Sequence, residues 1–241
     1  MTQDPSPGAA QPRSLVQRVI GVVISPGETM PRIAAAPRWR DVLALTTVLT
    51  AVAFAVFFAT DVGKAAYVDQ AVASIEAFGG TVNTEMYAGL QRQAGFMSWI
   101  QGATILFIGP IVAAVIAGIL FGVFAVLGGE ARYEQVLAVV AHAGVISLLQ
   151  TAFTLPMNYL RQSMSSATNL AVFFPNLSEG SWVGSMLGFV DLFWIWYLMV
   201  LAIGLAAVYR RRTAPVAAGL LVVYVLIGLA VTAVKAVLGG K

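Results

Sequence analysis

The sequence contains a single histidine, His142, and it lies inside an oily segment. The stretch GGEARYEQVLAVVAHAG, residues 128–144, begins with two glycines and several charged residues and then becomes apolar. An imidazole in such a place is able to carry a proton, bind a metal ion or serve as a hydrogen-bonding group. Proton transfer inside a membrane needs a second ionisable group, and Asp191 is the one acid within the apolar runs defined below.

Most other kinds of chemistry are excluded by residue type and spacing. One histidine and no cysteine cannot build the usual zinc sites, and the acids are scattered through polar segments. The chain has no GxGxxG motif, no Walker loop and no ordered Ser-His-Asp set. We therefore predict no enzymatic activity, no metal, no cofactor and no identifiable small-molecule substrate.

Composition places the chain in a membrane. Of its 241 residues, 59% are hydrophobic and 10% are charged, whereas soluble domains carry about one quarter charged residues. The apolar residues form runs of about 20, which is the length of a membrane-spanning helix, and they do not alternate as barrel strands do. We predict an all-α, polytopic helical bundle with five transmembrane helices, at residues 42–60, 100–127, 136–160, 187–208 and 214–234.

The arginines and lysines predict the orientation. With the N-terminus in the cytoplasm, nine basic residues lie inside and five lie outside, which is the bias that membrane proteins show. The cluster Arg210, Arg211 and Arg212 falls between the fourth and fifth spans and is difficult to translocate. The predicted C-terminus is outside. This bias accounts for the net charge of +3 without a nucleic-acid partner.

Residues 1–41 form a cytoplasmic leader that precedes the membrane domain, residues 42–241. Its segment SLVQRVIGVVI has the periodicity of an amphipathic helix. The apolar positions are Leu15, Val16, Val19, Ile20 and Val23, and the polar positions are Ser14, Gln17, Arg18 and Gly21. Such a helix either lies in the cytoplasmic leaflet or packs on the bundle. The outer segment 61–99 predicts two further short helices, separated by Gly79 and Gly80.

The positions of His142 and Asp191 argue against a direct pair. Six residues separate Val136 from His142, or about 9 Å of helix, so His142 lies near the cytoplasmic side. Asp191 enters from the outer side, beside Trp194 and Trp196, which leaves about 10 to 15 Å between the two residues along the membrane normal. We expect His142 to be a neutral, hydrogen-bonding packing residue; the alternative is a role in pH sensing or transport.

Small residues at four-residue spacing indicate close helix contacts. The second span carries Ala114, Gly118 and Gly122 on one stripe, and Gly184 and Gly188 stand at the entry to the fourth. We expect these residues to pack helices within the monomer. The alternative is a surface for homo-oligomerisation or for another membrane protein.

Three segments resemble a known family: VIGVVISPGETMPRIAAAPRW, GPIVAAVIAGILFGVFAVLGGEARYEQVLAVVAHAGVI and DLFWIWYLMVLAIGLA. They are similar to the bacterial branch of the Yip (Ypt-interacting protein) domain family, and the resemblance extends over nearly the whole chain from about Leu15. It implies a five-span protein with a cytosolic N-terminus. Eukaryotic members are associated with small GTPases and vesicle formation, and no catalytic residue is implied at any position of this sequence.

These observations predict a non-enzymatic integral membrane protein that acts as an adaptor or scaffold. Its expected partners are the lipid bilayer and either other membrane proteins or itself, and its expected location is the cell membrane, as a multi-pass protein of the bacterial inner membrane. The alternative function is a permease or a membrane subunit of a transport or export complex. An odd number of spans, the lack of an inverted repeat and the scarcity of buried polar residues weigh against transport.

Overall fold

The computed structural model describes residues 14–174, 176–177 and 181–238. These residues form ten α-helices and one short 3-10 helix, Leu170–Phe173, together with one isolated bridge between Asn169 and Asp191. The helices are α1 Leu15–Ile24, α2 Pro26–Ala35, α3 Arg40–Ala59, α4 Asp61–Ala77, α5 Thr84–Ala94, α6 Met97–Val126, α7 Tyr133–Arg161, α8 Trp182–Phe189, α9 Leu192–Val208 and α10 Thr213–Leu238. The predicted all-α fold is confirmed for the described residues.

Four of the described helices are long and apolar enough to cross a membrane, namely α3, α6, α7 and α10. They coincide with the first, second, third and fifth predicted spans. The helix α9 is also apolar but has 17 residues. At 1.5 Å per residue, it is about 25 Å long, slightly less than the hydrocarbon thickness of a typical bilayer.

The fourth predicted span, residues 187–208, differs from the structure at its start. The helix α8 ends at Phe189, Val190 is extended, and α9 begins at Leu192. The cause is Asp191, whose carboxylate accepts the backbone N–H groups of Phe193 and Trp194. An acceptor in this position satisfies N–H groups that have no partner within a helix, so it starts a new helix.

The helix α7 is the centre of the bundle. In its most apolar window 61% of the residues are buried, compared with 6% in α6. Small residues allow α7 and α9 to approach, because Ala138, Ala141 and Ala202 contribute little more than backbone to their contact. The helix α6 lies at the edge of the bundle, and most of its residues are at least partly exposed.

The polar connections gather at the two ends of the bundle. At one end, Nη2 of Arg211 donates a hydrogen bond of 2.8 Å to the carbonyl of Leu127, which joins the α9–α10 and α6–α7 connections. The leader reaches the same end, since Nε2 of Gln135 donates to the carbonyl of Ala34 at 2.9 Å. At the other end, α4 covers an apolar cluster of Phe57, Phe58, Ala66, Met97 and Leu155. We call the first of these the leader end.

Candidate functional site

The fully buried His142 is bonded to a residue of the leader. Its Nε2 lies 3.0 Å from Nη1 of Arg18, and its Nδ1 lies 2.7 Å from the carbonyl oxygen of Ala138 in its own helix. A guanidinium is protonated at all accessible pH and only donates. Nε2 of His142 therefore accepts, and Nδ1 carries the hydrogen that it donates to Ala138. His142 is neutral in this arrangement.

The second partner of Arg18 is the carboxylate of Asp41. Nη2 of Arg18 donates to Oδ2 of Asp41, and Nη1 also donates to the carbonyl of Arg38 at 2.8 Å. The Arg18 side chain is 8% exposed and the Asp41 side chain is 44% exposed. Because one partner is open to solvent, the ion pair avoids much of the desolvation cost of a fully buried pair. We call Arg18, Asp41 and His142 the leader clasp.

The local sequence brings Arg18 to this position. Ser14 caps α1 in a capping box with Gln17, which fixes where the helix begins. The buried residues of α1 are then Arg18, Gly21 and Val22, which follow each other at helical spacing. The absence of a side chain at Gly21 lets this face of α1 approach the bundle.

The burial of α1 does not follow the predicted division of the helix into an apolar and a polar side. The residues Leu15, Val19 and Val23 pack beside the core, but Arg18 enters it with them. Val16 and Ile20 point outward and are 64% and 51% exposed. The helix thus packs on the bundle by one side and keeps a second apolar row on the outside.

The residues Arg18 and Asp41 were not among the predicted site residues. A weak signal for them exists in the sequence. Arg18 stands directly before the apolar run of residues 19–24 and has Gly21 three residues later on the same helical face. A small residue at that spacing allows this face to enter a packed contact. His142 also has no acidic or basic residue one turn away in its own helix, so its partner had to come from elsewhere in the chain.

The second predicted intramembrane group, Asp191, is 5% exposed and caps a helix. Besides the N–H groups of α9, its carboxylate accepts from the hydroxyl of Ser166 at 3.1 Å and from the hydroxyl of Thr168. Its own N–H donates to the Tyr224 oxygen at 3.3 Å, and that hydroxyl donates to the carbonyl of Phe189. These bonds fasten the loop before α8 to the start of α9. The donors to the Asp191 carboxylate are thus all groups that stabilise the fold. They lie at the end of the bundle opposite the leader clasp.

Among the described residues, no side chain or helix packs closely on the two glycines of the α6 stripe. A Cβ atom added to Gly118 or Gly122 would have no other atom within 4 Å apart from its own helix and chain neighbours. Ala114 is half-buried, and its carbonyl accepts from the hydroxyl of Tyr133 at 2.8 Å. We expected this stripe to pack against another helix of the monomer. The described residues show no such packing at Gly118 and Gly122.

Close approach occurs at other glycines. A Cβ atom on Gly204 of α9 would lie 2.6 Å from Cε of Met30 and 3.0 Å from Cγ2 of Val139, so α2, α7 and α9 meet there. Of the two predicted glycines at the fourth span, Gly184 is buried, and its N–H donates a hydrogen bond of 3.0 Å to the hydroxyl oxygen of Ser181, which caps α8. Gly188 lies beside Asn169.

The three predicted topology arginines lie at the leader end, in the turn between α9 and α10. Arg210 has a positive φ of 51°, which turns the chain between the two helices. Arg211 makes the bond to Leu127 described above, and Arg212 is exposed. Within the described ranges, no three His, Asp or Glu side chains are grouped so that they could hold a metal ion.

Comparison with known proteins identifies the family. The family model of the Yip1 domain matches residues 20–234, a range that begins in α1 and ends near the end of α10. It contains Asp41 and His142 of the clasp, and Arg18 lies two residues before it. No curated protein and no solved structure matches the chain. The match and the four membrane-length helices make the protein a multi-pass membrane protein in contact with lipid. Because the match covers nearly the whole chain, the protein belongs to the Yip1 domain family.

Proposed function

We propose that this protein is a non-enzymatic membrane adaptor or scaffold that binds other membrane proteins, or further copies of itself, through the outer face of α6. The α6 helix is the observation that carries the proposal. It has 30 residues, and in its most apolar window 6% of them are buried. Its exposed side combines bulky apolar residues with the open stripe at Gly118 and Gly122.

The glycines distinguish a protein-binding face from an ordinary lipid-facing one. Lipid gains nothing from a glycine, whereas a second helix packs closely only where small residues let the backbones meet. Gly118 and Gly122 form a shallow groove flanked by Val115 and Ile119, which are 54% and 60% exposed. This groove fits a helix of a partner.

We further propose five spans, with the N-terminus in the cytoplasm and the C-terminus outside. The charges of the described residues support this orientation: the leader end holds eight arginines and four acids, and the opposite end holds four basic residues and five acids. Positive charge is retained in the cytoplasm. The 17 residues of α9 then cross the membrane by slight local thinning. In this proposal the protein resides in the bacterial inner membrane.

The alternative function, a permease or a membrane subunit of an export complex, gains no specific support. Transport uses ionisable groups that face a pathway across the membrane. Both candidates for that role are engaged: His142 bonds to Arg18 and Ala138, and Asp191 caps α9. In the proposed adaptor, which has no enzymatic activity, His142 and Asp191 are therefore structural residues.

Photo-crosslinking in the native membrane tests the adaptor proposal. A photoreactive amino acid placed at Ile119 should yield discrete protein adducts, identified by mass spectrometry. The same amino acid at Val222, an exposed position of α10, is the control for a lipid-facing site. Adducts with lipid alone at Ile119 would contradict the proposal.

A further inference from the structure

The contacts of Arg18 determine the depth of α1 in the membrane. Nη1 of Arg18 lies 2.8 Å from the carbonyl oxygen of Arg38, and Nη2 bonds to Asp41. Both residues lie just before Val42, where the apolar part of α3 begins. The middle of α1 is therefore level with the boundary between the polar and apolar parts of a membrane helix. Trp39, an aromatic residue typical of this depth, stands in the same segment.

The outer side of α1 carries one exposed apolar row. Val16, Ile20 and Ile24 follow each other at four-residue intervals and are 64%, 51% and 76% exposed. Next to this row, a shallow open recess of about 430 Å³ is lined by Gln17, Ile20, Gly21, Ile24 and Ser25. A helix at the boundary with an apolar outer row is the arrangement of an interfacial helix.

The exposed charge of the leader is mostly basic. Arg32, Arg38 and Arg40 are exposed, and the guanidinium of Arg40 lies 5.4 Å from the ring centre of Trp39. Of the two acids between residues 14 and 41, Asp41 is neutralised by Arg18. The leader thus presents three cations against one remaining acid.

We infer that α1 and the adjoining Arg38–Arg40 segment form a binding surface for anionic phospholipid. Acyl chains of the surrounding lipids lie against Val16, Ile20 and Ile24, and headgroup phosphates are held by Arg38 and Arg40. Charge complementarity selects the lipid class, because zwitterionic headgroups offer these arginines no net charge. This surface is separate from the α6 groove, so it stands or falls independently of the proposed adaptor role.

The first test measures lipid preference. The purified full chain is exchanged into nanodiscs that contain equal amounts of phosphatidylglycerol and phosphatidylcholine, and the lipids that remain bound after mild detergent extraction are counted by native mass spectrometry. Wild type should retain phosphatidylglycerol in excess. The double substitution Arg38→Gln and Arg40→Gln should reduce that excess about tenfold. Each arginine near the membrane surface raises the affinity for an anionic lipid by a factor of roughly five or less. Arg92→Gln, an exposed arginine of α5 at the opposite end, should leave it unchanged.

A second measurement keeps the inference falsifiable if the double variant does not fold. In wild type, salt at about 1 M should remove the preference, because it screens charges beyond about 3 Å. Equal retention of the two lipids at low salt, a preference that survives high salt, or an equal loss in Arg92→Gln would each overturn the inference.

The position of the apolar row is tested with spin labels, for which the chain offers a background without cysteine. A label at Ile20→Cys should collide with lipid-soluble oxygen, and a label at Glu28→Cys should collide with a water-soluble nickel chelate. A label at Ile20→Cys that prefers the chelate overturns the inference. A label there that is shielded from both reagents in native membranes, but not in nanodiscs, shows that a protein covers α1 and also overturns it.

Discussion

Nη1 of Arg18 lies 3.0 Å from Nε2 of His142, although 124 positions separate the two residues in the chain. The bond joins the leader to the central helix of the bundle, and Asp41 balances the charge of the arginine. The single histidine is therefore explained as a neutral acceptor for a buried guanidinium. The bond to Arg18 requires a hydrogen-bond acceptor at position 142, but it does not require a residue that titrates.

The first prediction concerns Arg18→Met, which keeps an apolar stem and removes every donor. It leaves Nε2 of His142 buried without a partner, which costs about 1–3 kcal/mol in free energy of unfolding. We expect a lower thermal midpoint in detergent and faster proteolysis of α1. The matched control is Val16→Met, on the exposed side of the same helix, which should change neither. Equal stability of the two variants would show that the clasp contributes nothing.

The second prediction compares two substitutions of His142. His142→Gln retains an oxygen that accepts from Arg18, so stability and partner association should stay close to wild type. His142→Leu removes the acceptor and should destabilise the protein by about 1–3 kcal/mol. Thermal unfolding of the purified variants distinguishes the two outcomes. A pH-dependent activity that disappears in His142→Gln would refute the structural role of this residue.

A coupling measurement extends the same prediction. When Arg18→Met and His142→Leu are combined, neither partner is left without the other, so the double variant should be less destabilised than the sum of the single variants. The measured interaction energy should be about 1 kcal/mol or more. Strict additivity would mean that the two side chains do not interact in the folded protein.

The third prediction compares two glycines. Gly204→Leu forces a side chain into the space occupied by Met30 and Val139, and overpacking of this kind costs about 1–3 kcal/mol or more. Gly118→Leu points into open space within the chain and should leave the folded yield near wild type. Yield after membrane extraction and size-exclusion chromatography measures the difference. A loss of yield in Gly118→Leu that equals the loss in Gly204→Leu would contradict the observed packing.

The fourth prediction concerns Asp191. Asp191→Asn retains a cap for α9, and its amide is able to donate to the hydroxyl oxygens of Ser166 and Thr168. It should therefore be tolerated. Asp191→Ala removes the cap and should lower stability by about 1 kcal/mol, with 0.5–2 as the usual range. Thermal unfolding tests both. If Asp191→Asn abolished a function without loss of stability, the carboxylate would have a chemical role.

The positions of the long helices were predictable because a span is encoded locally, by about 20 consecutive apolar residues. The break before Leu192 was missed for a related reason: the apolar run continues from Leu187 through Val190, and hydropathy alone does not register that Asp191 caps a helix. The aspartate within the run is the signal that an N-cap analysis would use.

The partner of His142 was not predictable from periodicity, which describes one helix at a time. Arg18 belongs to the polar side of α1 by composition, but Gly21 beside it allows that side to enter the bundle. The glycine stripe shows the same limit. Spacing indicates that Gly118 and Gly122 permit close approach, but not which helix approaches. Gly204, where three helices do meet, has Val200 and Val208 four residues away and so belongs to no stripe.

The adaptor role is tested most directly by the yield of crosslinked complexes from a photoreactive amino acid at Ile119 in native membranes. It is measured in three backgrounds: the otherwise unchanged chain, Gly118→Leu, and Val123→Leu, which adds the same side chain at a position of α6 that is already bulky and exposed. We predict discrete protein adducts that decrease about tenfold in Gly118→Leu, because a leucine in the groove removes close backbone contact, and that persist in Val123→Leu. Equal yields in all three backgrounds, or adducts with lipid alone, would contradict the account.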